Sequence, residues 1–360
     1  MKHHLFLAYS SLVAIAMLHP TTLYSQSSPN QPSQEKIAEF FKRFPEADGN
    51  KDGVLEMKEV RAFNQNRKRQ AVDQTQKKRP ILPDPTHAEV KYGDHERQVF
   101  DLWLAESKDG SPTPLVIYIH GGGFRGGSKA SADPVAIQIY RDAGISFAAI
   151  NYRLSDVGPY PIMMHDAARC LQTIRSRAKE WNLNPDKIAC FGGSAGAGIS
   201  LWLGFHDDLA LPENEDPIAR QSTRIVAAGT SNGQSTYDMR TFRQWFGVAD
   251  LEPHPALTTF YAVKKKEDWE SERVKKLMTD ASAITHLTKD DVPVYMAYRS
   301  GNTPVNKETD AGAWVHHVQL GLRLQEAMAK LKLECNVASP DHPEEVYGSI
   351  EAFFIEKLSD

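Results

Sequence analysis

Apolar residues along the chain fall into short runs separated by longer amphipathic stretches. Residues 115–119, 146–152 and 187–191 are nearly continuous apolar runs, the pattern of strands buried on both faces. Residues 162–178 carry helical spacing between the second and third of these, and the small apolar residues 197–204 can start another helix. Further strands are expected at 224–229, 293–298 and 335–337, with helices at 314–331 and 345–358. In residues 99–104, Phe100, Leu102 and Leu104 share one face, as in a half-exposed edge strand. Strands alternating with helices predict a parallel sheet covered by helices, an α/β fold.

The amino-terminal quarter is patterned differently. A weakly basic start and an apolar run over residues 5–18 read as an export signal cleaved after Ser25. The mature chain would then be secreted or periplasmic, with no stable membrane insertion. Residues 26–34 are polar with two prolines and are expected to be a disordered tether. Ile37, Phe40, Phe41 and Phe44 then form one apolar helical face. It leads into Asp48-Gly49-Asn50-Lys51-Asp52-Gly53-Val54-Leu55-Glu56-Met57-Lys58-Glu59, which matches the EF-hand pattern Asp-x-Asn-x-Asp-Gly-x5-Glu. A hard cation wants several oxygens at once. Asp48, Asn50, Asp52, Glu56 and Glu59 offer side-chain oxygens, Val54 a carbonyl, and Gly53 the bend. A structural Ca²⁺ is the expected occupant, although EF-hands usually pair and only one is present. The expected divisions are a signal at 1–25, the tether at 26–34, an EF-hand at 35–66, a linker at 67–88 and a main domain at 89–360.

A formal net charge of −4 gives no reason to expect nucleic acid as a partner. Cys170, Cys190 and Cys335 are too few for a disulfide framework. Cys190 reads as a buried free thiol, and a Cys170–Cys335 bridge is the one pairing left open.

The chemistry concentrates in two glycine-rich turns. The strand at 187–191 runs into Gly192-Gly193-Ser194-Ala195-Gly196, a Gly-x-Ser-x-Gly pattern followed by a helix. Strand, sharp turn and helix are the context of a nucleophile elbow, which exposes the serine hydroxyl above the sheet. The strand at 115–119 runs into His120-Gly121-Gly122-Gly123-Phe124, whose bare N–H groups can point at an anion.

With Asn151-Tyr152-Arg153-Leu154-Ser155, these motifs resemble the α/β-hydrolase carboxylesterases of the hormone-sensitive-lipase and feruloyl-esterase-like type. The resemblance covers roughly residues 89–358. It implies an α/β-hydrolase fold, an acyl-enzyme on Ser194, and an oxyanion hole from the N–H groups of Gly122, Gly123 and Ala195. It implies a small-molecule or polysaccharide-linked ester as substrate, and no cofactor for catalysis. The aromatic-rich residues 235–280 correspond to a helical cap in such folds, or to an ordinary packed helix pair. The family histidine follows the last strand, which here is His342; His316 and His317, at the start of a helix, are weaker candidates. The family aspartate would fall at Asn302, where this sequence departs from the pattern. Asp310, with Glu308 also near, is the expected replacement. The competing class is a non-catalytic, calcium-stabilised binding protein on the same scaffold.

Overall fold

The computed structural model describes residues 42, 45–56, 58–59, 62–63 and 81–359. The expected export signal and tether, and most of the flanking helices of the EF-hand, lie outside the described residues. The chain separates into two units between Arg79 and Pro80.

The larger unit is built on an eight-stranded sheet: β1 (His87–Lys91), β2 (Val99–Trp103), β3 (Thr113–Ile119), β4 (Ser146–Ile150), β5 (Leu183–Gly193), β6 (Ala228–Ser231), β7 (Val294–Ala297) and β8 (Cys335–Ala338). Their spatial order is β1-β2-β4-β3-β5-β6-β7-β8. Strands β3 to β8 pair in parallel, and β2 runs against both of its neighbours. Nine helices connect and cover the strands among the described residues: α1 (Pro134–Asp142), α2 (Ile162–Ser176), α3 (Ala195–Phe205), α4 (Met239–Phe246), α5 (Pro255–Phe260), α6 (Glu272–Ala281), α7 (Ala311–Val315), α8 (Gln319–Lys330) and α9 (Ile350–Ser359).

The period-2 geometry of the strands divides the core in two. Leu115, Ile117 and Ile119 of β3 join Ala148, Ile150, Ile188 and Cys190 in a cluster with Met163 and Leu171 of α2 and Leu201 of α3. Val116, Phe147, Ala149 and Ala189 point the other way, towards Tyr140 of α1 and Phe353, Phe354 and Leu358 of α9. Because helices cover both faces, the central strands need no polar face, so their runs are continuous rather than alternating.

Several boundaries differ from expectation. Strand β2 is interior, because β1, which was not expected, covers its outer side. The unit begins ahead of Glu89, since Trp103 Nε1 donates to Pro83 O at 2.7 Å and the Leu104 N–H donates to Thr86 Oγ1 at 3.0 Å. Strand β6 starts at Ala228, four residues late. The preceding Val226 N–H already bonds Ile188 O at 2.9 Å, leading the chain in alongside β5. The helix expected over 314–331 is two helices, α7 and α8, broken at His316–Val318. All three cysteines are free thiols, so no Cys170–Cys335 bridge forms. No helix among the described residues is long and apolar enough to cross a membrane.

The segment after β4 is pinned by one buried charge. Asp166 of α2 is 1% exposed and takes a bidentate contact from the Arg153 guanidinium, with Nη2 to Oδ1 at 2.7 Å and Nε to Oδ2 at 2.9 Å. It also accepts from the Arg153 N–H at 2.9 Å and from Gln98 Nε2 at 2.8 Å. Removing one partner of a buried pair costs about 3–5 kcal/mol, and partial exposure of Arg153 reduces that. Asp166→Ala should therefore lower the unfolding free energy by about 2–3 kcal/mol, read as an earlier urea midpoint at unchanged slope; an unshifted midpoint would show that the pair is dispensable.

Candidate active site

Ser194 sits between β5 and α3 with φ 50° and ψ −117°, a conformation non-glycine residues avoid. The surrounding structure enforces it. A Cβ on Gly196 would lie 2.0 Å from Ile119 O, and one on Gly192 would lie 2.4 Å from the Gly196 carbonyl carbon. The helix can approach the strands this closely only through glycine, which is the physical content of the Gly-x-Ser-x-Gly spacing. The Ser194 N–H donates to Ser231 O at 2.9 Å, tying the elbow to β6. Ala195, the first residue of α3, has an N–H with no partner one turn earlier in the helix.

The glycine loop after β3 passes through three consecutive positive φ values, 111° at Gly122, 60° at Gly123 and 60° at Phe124. Its base is braced by Arg97, a residue no sequence motif singles out. Arg97 donates from Nη2 to His120 Nε2 at 3.1 Å and to Gly127 O at 2.9 Å, and from Nε to Tyr152 O at 2.8 Å. Arginine can only donate, so His120 accepts at Nε2 and carries its proton on Nδ1, which lies 2.7 Å from Gly121 O. Burial lowers the His120 pKa to about 4, so the ring is neutral and structural. It stacks on Tyr152 at 4.3 Å.

The histidine at the serine is His316. Its Nε2 lies 2.8 Å from Ser194 Oγ, and its Nδ1 lies 2.8 Å from Gly312 O. A carbonyl only accepts, so Nδ1 carries the proton and Nε2 offers a lone pair to the serine hydroxyl. His316 is the residue just past the end of α7, placed by the break between α7 and α8.

His342, the expected base, is not at Ser194. It is exposed and pairs through its backbone with Ser339, Ser339 N–H to His342 O at 2.8 Å. The neighbouring Asp341 carboxylate accepts from the Asn302 N–H at 2.6 Å and from Ser339 Oγ at 2.7 Å, which closes that turn on itself. Asp310 is not behind the histidine either. It caps α7, accepting the Gly312 N–H at 2.8 Å, and the orienting group at His316 Nδ1 is a carbonyl of that same turn. Glu308 uses its N–H on Asn306 Oδ1 and shows no contact with His316. His317 is 4% exposed and serves the fold, with Nε2 on Thr303 O at 2.8 Å.

Ser194 and His316 open onto a cleft of about 370 Å³, lined also by Gly122, Gly123, Phe124, Ala195, Tyr237, His254 and Leu257. Residues 235–280, where a cap or a packed helix pair is expected, hold α4, α5 and most of α6, and Tyr237, His254 and Leu257 from this segment form one wall of the cleft. Phe124 stacks on Phe260 of α5 at 4.4 Å, joining the glycine loop to that wall. Among the described residues no carboxylate lines the cleft, and Arg125 is its one permanently charged side chain.

Residues 100–309 match the BD-FAE family. The chain belongs to this family. The match includes the glycine loop and the elbow, and its range ends ahead of His316. LipM of Mycobacterium tuberculosis, a probable carboxylic ester hydrolase, is 26% identical over 226 residues, 61% of this chain and 48% of LipM. Carboxylesterase NlhH of the same species is 37% identical over 87 residues, 24% of this chain and 27% of NlhH. The chain thus spans less than half the length of these relatives. A truncated carbohydrate esterase from gut microbiota has the same fold, with a TM-score of 0.59 at 16% identity, over 78% of this chain and 99% of that one.

Burial lowers the His316 pKa below its ordinary 6.5, with the Gly312 hydrogen bond opposing the shift. Only the neutral ring can accept the Ser194 proton, and a lowered pKa keeps it neutral to lower pH. The rate at which a fluorophosphonate probe labels Ser194 should therefore rise through a midpoint below pH 6.5 and stay flat above it; a midpoint at or above 6.5 would contradict this environment.

Proposed function

We propose that the chain is a serine carboxylic-ester hydrolase working through a Ser194–His316 pair. The single observation that carries the reading is the 2.8 Å contact between Ser194 Oγ and the lone-pair nitrogen of His316, at a cleft edged by the glycine loop. His316 Nε2 takes the hydroxyl proton as Oγ attacks the ester carbonyl carbon. The carbonyl π electrons move to oxygen, where the N–H groups of Gly122, Gly123 and Ala195 receive the charge. Collapse breaks the bond to the alcohol, which leaves with the proton from His316. Water, deprotonated by the same nitrogen, then releases the acid from Ser194. Esterase names among the relatives and the carbohydrate-esterase neighbour support small or polysaccharide-linked esters as the substrate class. Arg125 favours esters that carry an anionic group near the scissile bond.

The binding-protein alternative rested on Asn302 at the family's acid position. The partner of His316 Nδ1 is Gly312 O, and the contact of Asn302 is a main-chain N–H to Asp341, which weighs against Asn302 as the group behind the histidine. With a p-nitrophenyl ester series, Ser194→Ala and His316→Ala should each lower kcat/KM by more than about a thousandfold. His342→Ala and Asp310→Asn should stay within about threefold of wild type. Loss of activity in His342→Ala with retention in His316→Ala would reverse the assignment.

We also propose that residues 48–59 hold a structural Ca²⁺, with Asp48, Asn50, Asp52, the Val54 carbonyl, Glu56 and Glu59 as ligands. Asp48 and Glu59 are 8% and 9% exposed in a loop whose residues 49–54 are exposed, and neither has an ion-pair partner among the described residues. The loop is already closed by Glu59 Oε1 accepting the N–H groups of Gly49 and Asn50 at 3.1 and 3.2 Å, and by Asp48 Oδ2 accepting the Gly53 N–H at 2.9 Å. Bound calcium would neutralise these carboxylates and lock the loop; it takes no part in ester chemistry. Calorimetric titration should show calcium binding that Glu59→Gln weakens at least about tenfold; no heat at millimolar calcium would remove the site. Export completes the reading, on the apolar run at 5–18, and amino-terminal sequencing of the extracellular form would place the cleavage.

A further inference from the structure

A second cluster of metal-ligating side chains lies at the other end of α3 from Ser194. His206 follows the last turn of α3, Asp280 lies near the end of α6, and His286 ends the short 3₁₀ turn after it. One donor atom from each of the three lies within 4.8 Å of the other two. We propose that His206, Asp280 and His286 form a zinc-class divalent metal site that fastens the end of α3 to α6 and the turn after it.

Each ligand is already held by an outer partner in the way metal ligands are. His206 Nδ1 lies 3.1 Å from Asp207 O and His286 Nε2 lies 2.7 Å from Asp280 O. Both acceptors are carbonyls, so each ring spends its N–H on main chain and keeps its other nitrogen as a lone pair. The Asp280 carboxylate accepts from Tyr160 O–H at its Oδ2, 2.6 Å away, leaving Oδ1 free of that contact. The His206 ring is fixed by stacking on Trp202 at 4.0 Å, and the two imidazoles face each other with centroids 4.7 Å apart. These contacts leave His206 Nε2, His286 Nδ1 and Asp280 Oδ1 as the lone pairs on offer, and the protonated His286 Nε2 approaches Asp280 Oδ1 at 3.9 Å.

Two imidazoles and one carboxylate select a borderline ion such as Zn²⁺ over Ca²⁺ or Mg²⁺, which want oxygen donors. Metal–nitrogen and metal–oxygen bonds near 2.0–2.2 Å require the donors to draw in by about 1 Å, a side-chain adjustment. A surface cleft of about 500 Å³ that includes Asp280 and His286 gives the ion and a fourth, water-derived ligand access. Of the three cations on that cleft, Arg240 is occupied by Asp238 at 2.5 Å and Lys275 by Glu272 at 3.5 Å, and Lys276 is the third.

The test uses the full chain and zinc alone, with cobalt as a spectroscopic substitute. Competition titration should show one zinc equivalent whose affinity falls at least about tenfold in His206→Ala and in His286→Gln, and by about 10–100-fold in Tyr160→Phe, which removes only the outer hydrogen bond. Zinc should raise the melting temperature of wild type and of Glu59→Gln, but not of the two histidine variants. Cobalt should give ligand-field bands that the histidine variants lose. No zinc binding by wild type, or binding that survives both histidine substitutions, overturns the proposal. None of these readouts depends on ester hydrolysis, so the outcome stands apart from the assignment of Ser194.

Discussion

The close approach of α3 to β3 is the constraint on which the rest of the cleft depends. Where Gly196 passes Ile119 O there is no room for a side chain, and the backbone answers by turning through Ser194 at positive φ. That turn raises the hydroxyl above the sheet and starts α3 beside the glycine loop. The loop has the same requirement in mirror position, since a Cβ on Gly122 would lie 2.3 Å from Gly126 O. Two tight passages at the carboxyl ends of neighbouring strands thus set both the hydroxyl and the N–H groups that face it. Such strain is sustained because the buried sheet beneath, with Ile117, Ile119 and Cys190 at its centre, gives the chain no looser alternative.

The electrostatics of the pair differ from those of a triad. A carboxylate behind a histidine both fixes the tautomer and stabilises the imidazolium through its full charge. The Gly312 carbonyl fixes the tautomer equally well but supplies only a dipole, so it stabilises the cationic ring less. Burial pushes the same way, and the ring is held neutral. Among the described residues the lining of the cleft is therefore short of negative charge, with Arg125 its permanent charge and His254 lowered first by burial and further by the neighbouring Arg125. Such a site receives electrons well, whether from an oxyanion or from an anionic substituent.

Much of this was legible in the sequence because the signals were local. Continuous apolar runs mark β3, β4 and β5, and glycine spacing marks both turns, with Ser194, Gly122, Gly123 and Ala195 in them. The errors came where tertiary pairing decides. Nothing in residues 99–104 announces that β1 will cover β2. No proline interrupts 314–331, yet the helix breaks there because His317 turns inward, bonding Thr303 O and accepting the Gln319 N–H at Nδ1. That break is what frees His316 to reach Ser194. His342 holds the place after the last strand that the family resemblance implies for the base, but the turn after β8 closes on Asp341. The one readable clue was the pair His316-His317 on an unusually long connection after β7, with Asp310 and Gly312 forming an Asx turn ahead of it.

The third partner of the Ser194–His316 contact belongs to the main chain, and this changes how the site can vary. Every amino acid placed at position 312 still presents a carbonyl there, so no codon change deletes the acceptor. Only the path of the backbone can move it, through the Asp310 cap or the length of the connection from β7. Replacing Ser194 or His316 deletes a reacting group, whereas a side chain at 312 acts only indirectly, because its Cβ would lie 3.0 Å from Asp310 Oδ1 and strain the cap. The feature is thus encoded in the length and path of the connection rather than in one side chain, which makes it invisible to a search for matching side chains.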